Sequence, residues 1–212
     1  AIKENLKILN NRGVVTIDPG FGEQACGDVG EGRLAEPIEI AKQVANIFSN
    51  SSLGGKKVLI TIGGTIEAID PVRYISNQSS GKMGMALAHA CIQAGAETTL
   101  IVGSISVEVE KRATITYVTS ADEMYEAVME KINTQDLFIS CAAVADFKPT
   151  KISLNKIKKD SNFASIELTK NKDILESVCK LKNKPICIGF AAETENFLDN
   201  AIAKLKQKKC DA

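Results

Sequence analysis

What the sequence lacks narrows its possible functions before any motif is considered. Neither sign of charge dominates: 26 basic residues balance 26 acidic ones, so no global positive field exists to hold nucleic acid, and an anionic ligand needs a local site. No apolar run approaches the roughly 20 residues that cross a bilayer, and the opening AIKENLKILNNRG has neither the apolar stretch nor the cleavage site of a secretory signal. Neither a nucleic-acid nor a membrane partner is expected. The six cysteines, Cys26, Cys91, Cys141, Cys179, Cys187 and Cys210, contain no CxxC pair, and several lie in apolar runs such as LFISCAA and PICIGF. They read as reduced, mostly buried thiols of a cytoplasmic protein. An initiator Met is also absent, which reads as a cut into something longer.

With 212 residues, 44% hydrophobic and 25% charged, the chain fits one ordinary α/β domain plus a small extra piece. Composition shifts at SNSSLGGKK, which reads as a linker. Ahead of it, NLKILNNRG ends like a helix at Gly13, VVTI is expected as a short strand, and PIEIAKQVANIF repeats apolar residues at helical spacing. About fifty such residues cannot bury a core alone and resemble the tail of a preceding domain. Behind the linker, KVLITI, MGMALAHACIQAG and ETTLIV form a βαβ unit. ITYV, DLFISCAA, SIELT and PICIGFAA follow as strands, with helices over SADEMYEAVMEKI, DILESVCKL and ENFLDNAIAKLKQKK between and after them. Ser120 with Glu123 three residues on is a capping box. The fold class expected is α/β, a Rossmann-like doubly wound, mostly parallel sheet with helices on both faces, whose ligands collect at the carboxyl ends of the strands.

Chemistry is therefore sought at those ends. Gly63, Gly64 and Thr65 follow the first strand, where glycines let the backbone approach an anion or simply make a tight turn. Ser79, Ser80 and Gly81 precede a helix whose unpaired N–H groups can receive a phosphate, or merely cap it. Lys82 is not a Walker lysine, because the GxxxxGK[ST] spacing is missing. Arg73 offers a planar fork for carboxylate or phosphate and Asn77 an amide for an acyl oxygen, though either could brace the loop. Ala143 and Asp146 end the strand DLFISCAAVADFKP, where a carboxylate can bind a hydroxyl, an amine or a divalent cation. Lys156, Lys158 and Lys159 form a basic loop, and Lys204 and Lys208 share a face of the last helix; both sets are either solvated or phosphate-neutralising.

Taken together, IGGTIEAIDPVRYISNQSSGKMG, SCAAVADFKP, KIKK, TKNKDIL and GFAAET closely resemble, in order and spacing, the phosphopantothenoylcysteine synthetase domain of bifunctional bacterial coenzyme A biosynthesis proteins. The resemblance divides the chain into residues 1–48, similar to the C-terminal tail of a phosphopantothenoylcysteine decarboxylase domain, a linker at 49–55 and a ligase domain at 56–212. In the first part, QACGDVGEGRLAEP resembles that enzyme's mobile clamp, with Cys26 at its catalytic cysteine. The rest of the decarboxylase lies upstream, so bound FMN and decarboxylation are expected only of a full-length protein.

The resemblance implies a two-step ligase. The carboxylate of 4'-phosphopantothenate attacks the α-phosphate of CTP, giving an acyl-cytidylate and pyrophosphate; cysteine then displaces CMP to form the amide. It further implies that Asn77 and Ala143 hold the acyl part and that Arg73 serves the cysteine-dependent step. By the same resemblance Asp146, Phe190 and Lys172, Asp173, Ile174 and Leu175 contact the nucleotide, Lys156 activates from a flap, and Lys204 and Lys208 bind the triphosphate. Mg2+ on the phosphates is the implied cofactor, and a homodimer through the ligase domain the implied assembly of a full-length protein. Two departures stand out: NKDI replaces the family's NPDI, with Lys172 for Pro, and the chain stops at KKCDA where the family continues. Two alternatives remain at this stage. An NAD(P)-dependent Rossmann oxidoreductase shares the βαβ start but lacks GxGxxG, a ribose-binding acid after ETTLIVGS and a Tyr-x-x-x-Lys pair; an inactive fragment acting as an interaction module would expose a sheet edge.

Overall fold

A computed structural model describes residues 2–23, 29–48, 52–158, 165–190 and 197–212. The chain divides into two compact units, Ala1–Asn50 and Ser51–Ala212. The first contains helices α1 (Ile2–Asn11) and α2 (Pro37–Phe48) and an antiparallel hairpin of β1 (Gly20–Glu23) and β2 (Val29–Arg33). VVTI is not a strand: residues 14–17 are irregular, and the hairpin that does form uses later segments that pair with each other. A β-branched run without a partner strand has nothing to satisfy its backbone, and period alone cannot reveal that.

The second unit is built on a five-stranded parallel sheet of β3 (Lys57–Ile62), β6 (Glu97–Val102), β7 (Thr114–Tyr117), β8 (Leu137–Ser140) and β11 (Ile186–Gly189), in the order β11-β8-β3-β6-β7. Alternation along these strands sorts side chains to two faces. Val58, Ile60 and Ile62 of β3 join Leu100, Val102 and Ile139 against Met85, Ala88 and Cys91 of α3 (Lys82–Gln93). Leu59, Ile101 and Phe138 face the other way, onto Met124 and Val128 of α4 (Ala121–Lys131) and Ile174 and Val178 of α5 (Ile174–Cys179). Most of these side chains are wholly buried, each worth about 1.5–3 kcal/mol relative to exposure. The sheet is thus doubly wound with helices on both faces, as the alternation of strands and helices predicts.

Two short antiparallel pairs decorate the carboxyl edge: β4 (Ile66–Ala68) with β5 (Tyr74–Ser76), and β9 (Phe147–Pro149) with β10 (Leu168–Lys170). DLFISCAA and SIELT are therefore not ladder strands over their full length; β8 ends at Ser140 and FKP pairs with LTK outside the main sheet. The last helix, α6 (Phe197–Lys208), packs against α5. Just past α6, Cys210 lies with its sulfur 3.7 Å from that of Cys179 at the end of α5. Burial pushes both thiols up to about 11. All five described cysteines are unpaired, and Cys91, Cys179 and Cys187 are buried.

The chain runs outward from β3 to β6 and β7, then returns to β8 and β11 on the opposite side. Such a reversal leaves a crevice beyond the carboxyl ends of β3 and β8, the place where open α/β sheets take their ligands.

Candidate functional site

The turn after β3 closes this crevice at one end. Gly63 has φ +87°, and a Cβ there would stand 2.6 Å from the carbonyl oxygen of Ser104, so only glycine fits. Gly64 N–H donates to Ser104 O (3.0 Å), Ser104 N–H to Gly64 O (2.8 Å), Thr65 N–H to Ala143 O (3.4 Å) and Ala143 N–H to Gly63 O (2.7 Å). Thr65 Oγ1 accepts from Ala145 N–H at 3.0 Å. These residues knit the ends of β3, β6 and β8 together, and their N–H groups, apart from that of Gly63, are spent within the protein.

Ser79, Ser80 and Gly81 open α3 differently. Gly81, with φ +77°, occupies the N-cap position and contributes no side-chain cap. Ser80 Oγ accepts only a long 3.4 Å bond from Lys82 N–H. A helix start of this kind leaves N–H groups directed outward. Between it and the glycine turn, Asn77 Nδ2 donates to Val144 O at 3.0 Å, which ties that amide to the loop after β8.

Asp146, Lys172, Asp173, Ile174, Leu175, Phe190 and Lys208 converge on one cavity of about 570 Å³, whose wall also includes Ala142 and Val144 on either side of Ala143. The convergence has local causes. Asp173 caps α5 by accepting from Glu176 N–H at 2.9 Å, and its second oxygen holds Lys208 Nζ of α6 at 2.7 Å. Lys172 lies with its ammonium 4.5 Å from the centroid of the Tyr125 ring. Where the resemblance leads one to expect a rigid proline, this chain thus steadies the turn by a cation–π contact. Among the described residues Asp146 makes no side-chain hydrogen bond or ion pair, and Phe190 presents an exposed ring, 49% accessible. Lys204 lines an adjoining apolar pocket of about 350 Å³ that shares Leu175, Phe190 and Lys208 with the first.

Arg73 and Lys156 do not line the large cavity. Arg73 Nη1 pairs with Asp70 Oδ2 at 3.0 Å and Nη2 donates to Ile157 O at 3.2 Å, so the guanidinium ties the β4–β5 hairpin to the loop carrying the exposed Lys156. Cys26 and Lys159 lie outside the described residues.

Sequence reasoning missed Lys170 and Asn171, both in the cavity wall. Asn171 Nδ2 donates to Ala145 O at 2.8 Å and its backbone N–H to Asp146 O at 2.8 Å. Its Oδ1 is buried, with no hydrogen-bond partner among the described residues. The signal was present: an Asn two residues before a helix-capping Asp in TKNKDIL.

The family model described as DNA/pantothenate metabolism flavoprotein C-terminal domain matches residues 53–212. Over 214 residues the chain is 48% identical to the coenzyme A biosynthesis bifunctional protein CoaBC of Vibrio cholerae, covering all of this chain and 54% of that protein. It is 44% identical over 218 residues to a cysteine/cysteine sulfinic acid decarboxylase of an unknown prokaryotic organism, covering all of this chain and 61% of that protein. The crystal structure of the C-terminal domain of a coenzyme A biosynthesis bifunctional protein CoaBC superposes with a TM-score of 0.68 at 40% identity, over 77% of each chain. The chain spans about half the length of the curated CoaBC relatives it matches.

Proposed function

From the premise that the chain belongs to the DNA/pantothenate metabolism flavoprotein C-terminal domain family, we propose that its α/β domain joins 4'-phosphopantothenate to L-cysteine at the expense of CTP, a step of coenzyme A biosynthesis. The reaction passes through an acyl-cytidylate and releases pyrophosphate and then CMP. The observation that carries this reading is the cavity in which Asp146, the NKDI turn, Phe190 and Lys208 meet, with the Asn77 amide anchored to Val144 on the same wall.

A carboxylate is a poor electrophile, and linking it to a nucleotide phosphate supplies a leaving group. The protein's tasks are to align the two reactants and to balance the triphosphate charge. In this reading Lys208, already directed inward by Asp173, takes the phosphates with Lys204. Asp146 accepts from ligand hydroxyls, and the ring of Phe190 offers a stacking face for the base. The buried acceptor Asn171 Oδ1 suits an amino-bearing base such as cytosine. Asn77 and the Ala143 backbone hold the acyl group, the α3 start formed by Ser79, Ser80 and Gly81 receives a phosphate, and Gly63, Gly64 and Thr65 shape the floor. Lys156 approaches the phosphates from its loop, and Arg73 serves the cysteine step. Mg2+ is expected to arrive with the nucleotide. Among the described residues no group of three or more His, Cys, Asp or Glu side chains is placed to hold an ion, so no step is assigned to the metal.

The unpaired thiols suit a reducing cytoplasm. A homodimer is proposed for the full-length protein through its α/β unit, where Tyr74 and Leu154 stand exposed; sedimentation velocity of the full-length protein should show a single dimeric species.

Incubation with 4'-phosphopantothenate, CTP and Mg2+ should release pyrophosphate and leave a trappable acyl-cytidylate, and addition of cysteine should release CMP. Equal turnover with ATP would count against the CTP assignment, and bound CTP without pyrophosphate would sink the reading for this chain. Lys156→Gln should lower pyrophosphate release at least tenfold with the fold intact.

A further inference from the structure

Asp70 plays no part in the reading above, yet it is among the most engaged side chains of the domain. Its carboxylate is fully buried, a placement tolerated only when the charge is compensated. Four donors supply that compensation: Val72 N–H and Arg73 N–H to Oδ1, both at 2.8 Å, and Arg73 Nη1 (3.0 Å) and Ile157 N–H (3.2 Å) to Oδ2. Burial raises the carboxyl pKa, but the N–H bonds from Val72, Ile157 and Arg73, with the Arg73 charge, outweigh it and hold Asp70 below its ordinary value.

Two of these contacts reach far along the chain. Ile157 gives its N–H to Asp70 and its carbonyl oxygen to Arg73 Nη2, so the ion pair grips one residue by both backbone polar groups. Ser153 N–H adds a second tie to Ile69 O at 2.9 Å. The residue gripped is the immediate neighbour of Lys156. A lysine has a long flexible stem, and fixing the backbone beside it removes much of the freedom that would otherwise be lost on reaching the transition state.

We propose that Asp70 is a positioning residue: with Arg73 it clamps the Ile157 peptide and thereby holds Lys156 where it can meet the phosphates of the bound nucleotide. The inference rests on the ligase reading. Turn residues such as Asp70-Pro71 usually serve their own turn; here the same carboxylate spans 87 residues to Ile157.

The test compares the parent with Asp70→Asn, Lys156→Gln and the double variant. Amide hydrogen exchange over residues 153–158 should be slow in the parent and at least tenfold faster at Ile157 in Asp70→Asn. Single-turnover pyrophosphate release should fall at least tenfold in Asp70→Asn, while the dissociation constant for CTP changes less than threefold. The double variant should be no slower than Lys156→Gln alone, because a residue acting only through Lys156 has nothing left to position. Multiplying losses in the double variant, or an unaltered rate in Asp70→Asn, would overturn the proposal. Fast exchange at Ile157 in the parent would overturn it without any variant, including the case in which Asp70→Asn does not fold. A parent that makes no pyrophosphate would remove the ligase reading and the role of Lys156 with it, whereas faster exchange in Asp70→Asn would still establish the clamp.

Discussion

The starts of α3 and α4 are the same structural event with opposite furnishing. At α4, Ser120 Oγ accepts from Glu123 N–H at 3.2 Å, Glu123 Oε2 accepts from Thr119 N–H at 2.7 Å, and the buried Glu67 Oε1 accepts from Ala121 N–H at 2.9 Å. Two carboxylates and a hydroxyl leave no positive end for a ligand to find. At α3 the N-cap is a glycine, and the hydroxyl of the preceding Ser80 makes only a long bond. The α4 start is closed by side chains of the chain; the α3 start has no side-chain cap. A side chain at Gly81 would also meet Ile105 Cγ2 at 2.5 Å, so packing and the open N-terminus call for the same residue.

The largest effect should come from furnishing α3 as α4 is furnished. Ser80→Asp places a carboxylate at the open start, where it should stabilise the helix by about 0.3–1 kcal/mol while repelling phosphate. Calorimetric titration with 4'-phosphopantothenate and CTP in turn should show at least one affinity reduced tenfold or more, beside an unchanged or raised melting temperature. Retention of both affinities would return Ser79, Ser80 and Gly81 to a purely structural part.

A smaller effect is expected from the loop behind α3. Glu110 receives a bidentate grip from Arg112, Nε at 3.0 Å and Nη2 at 2.9 Å, and lies 2.9 Å from His89 Nε2 on α3. The Arg112 hydrogen bonds, outweighing burial and aided by the charges of Arg112 and His89, lower its carboxyl from 4.5 to about 2. A carboxyl depressed in the folded state stabilises above its unfolded value and loses that contribution as pH falls through the folded one. Glu110→Gln should therefore cost about 1–2 kcal/mol at neutral pH, the low end for a charged hydrogen bond because Arg112 is 60% exposed. In denaturant melts the gap from the parent should close between pH 4.5 and about 2. The smallest change is Ser120→Ala, worth about 1 kcal/mol of stability through the lost cap, with no change in substrate affinity.

How much of this was legible in the sequence depended on the range of the cause. The five sheet strands, their helices and the α4 capping box follow from local period and spacing, and each appears close to where the pattern predicts it. The strand VVTI failed because pairing is not a local property. Strands β4, β5 and β9 were missed for the converse reason, since three-residue strands have too little period to detect, while β10 is the C-terminal end of the expected strand SIELT, carried one residue on. The glycine turn was readable as a glycine requirement but not as a knot, since the partners that consume its amides, Ser104 and Ala143, come from other strands. Asp70, followed by Pro71, carries only a turn signal in the sequence, and nothing near it announces a contact with Ile157. Asp146, the NKDI turn, Phe190 and Lys208 were named together through resemblance and line one cavity, whereas Asn171, although it stands in TKNKDIL, is marked as a cavity residue only by its buried oxygen.

The close approach of Cys179 and Cys210 makes the fold its own distance gauge. One sulfur ends α5, the helix that begins at the NKDI turn, and the other follows α6, the helix that bears Lys204 and Lys208. Held at 3.7 Å and kept protonated by burial, the two thiols resist alkylation at neutral pH while the helices stay together. A reagent that bridges adjacent thiols would therefore register any parting of the cavity's two walls, and its rate with and without nucleotide would time that motion from inside the protein.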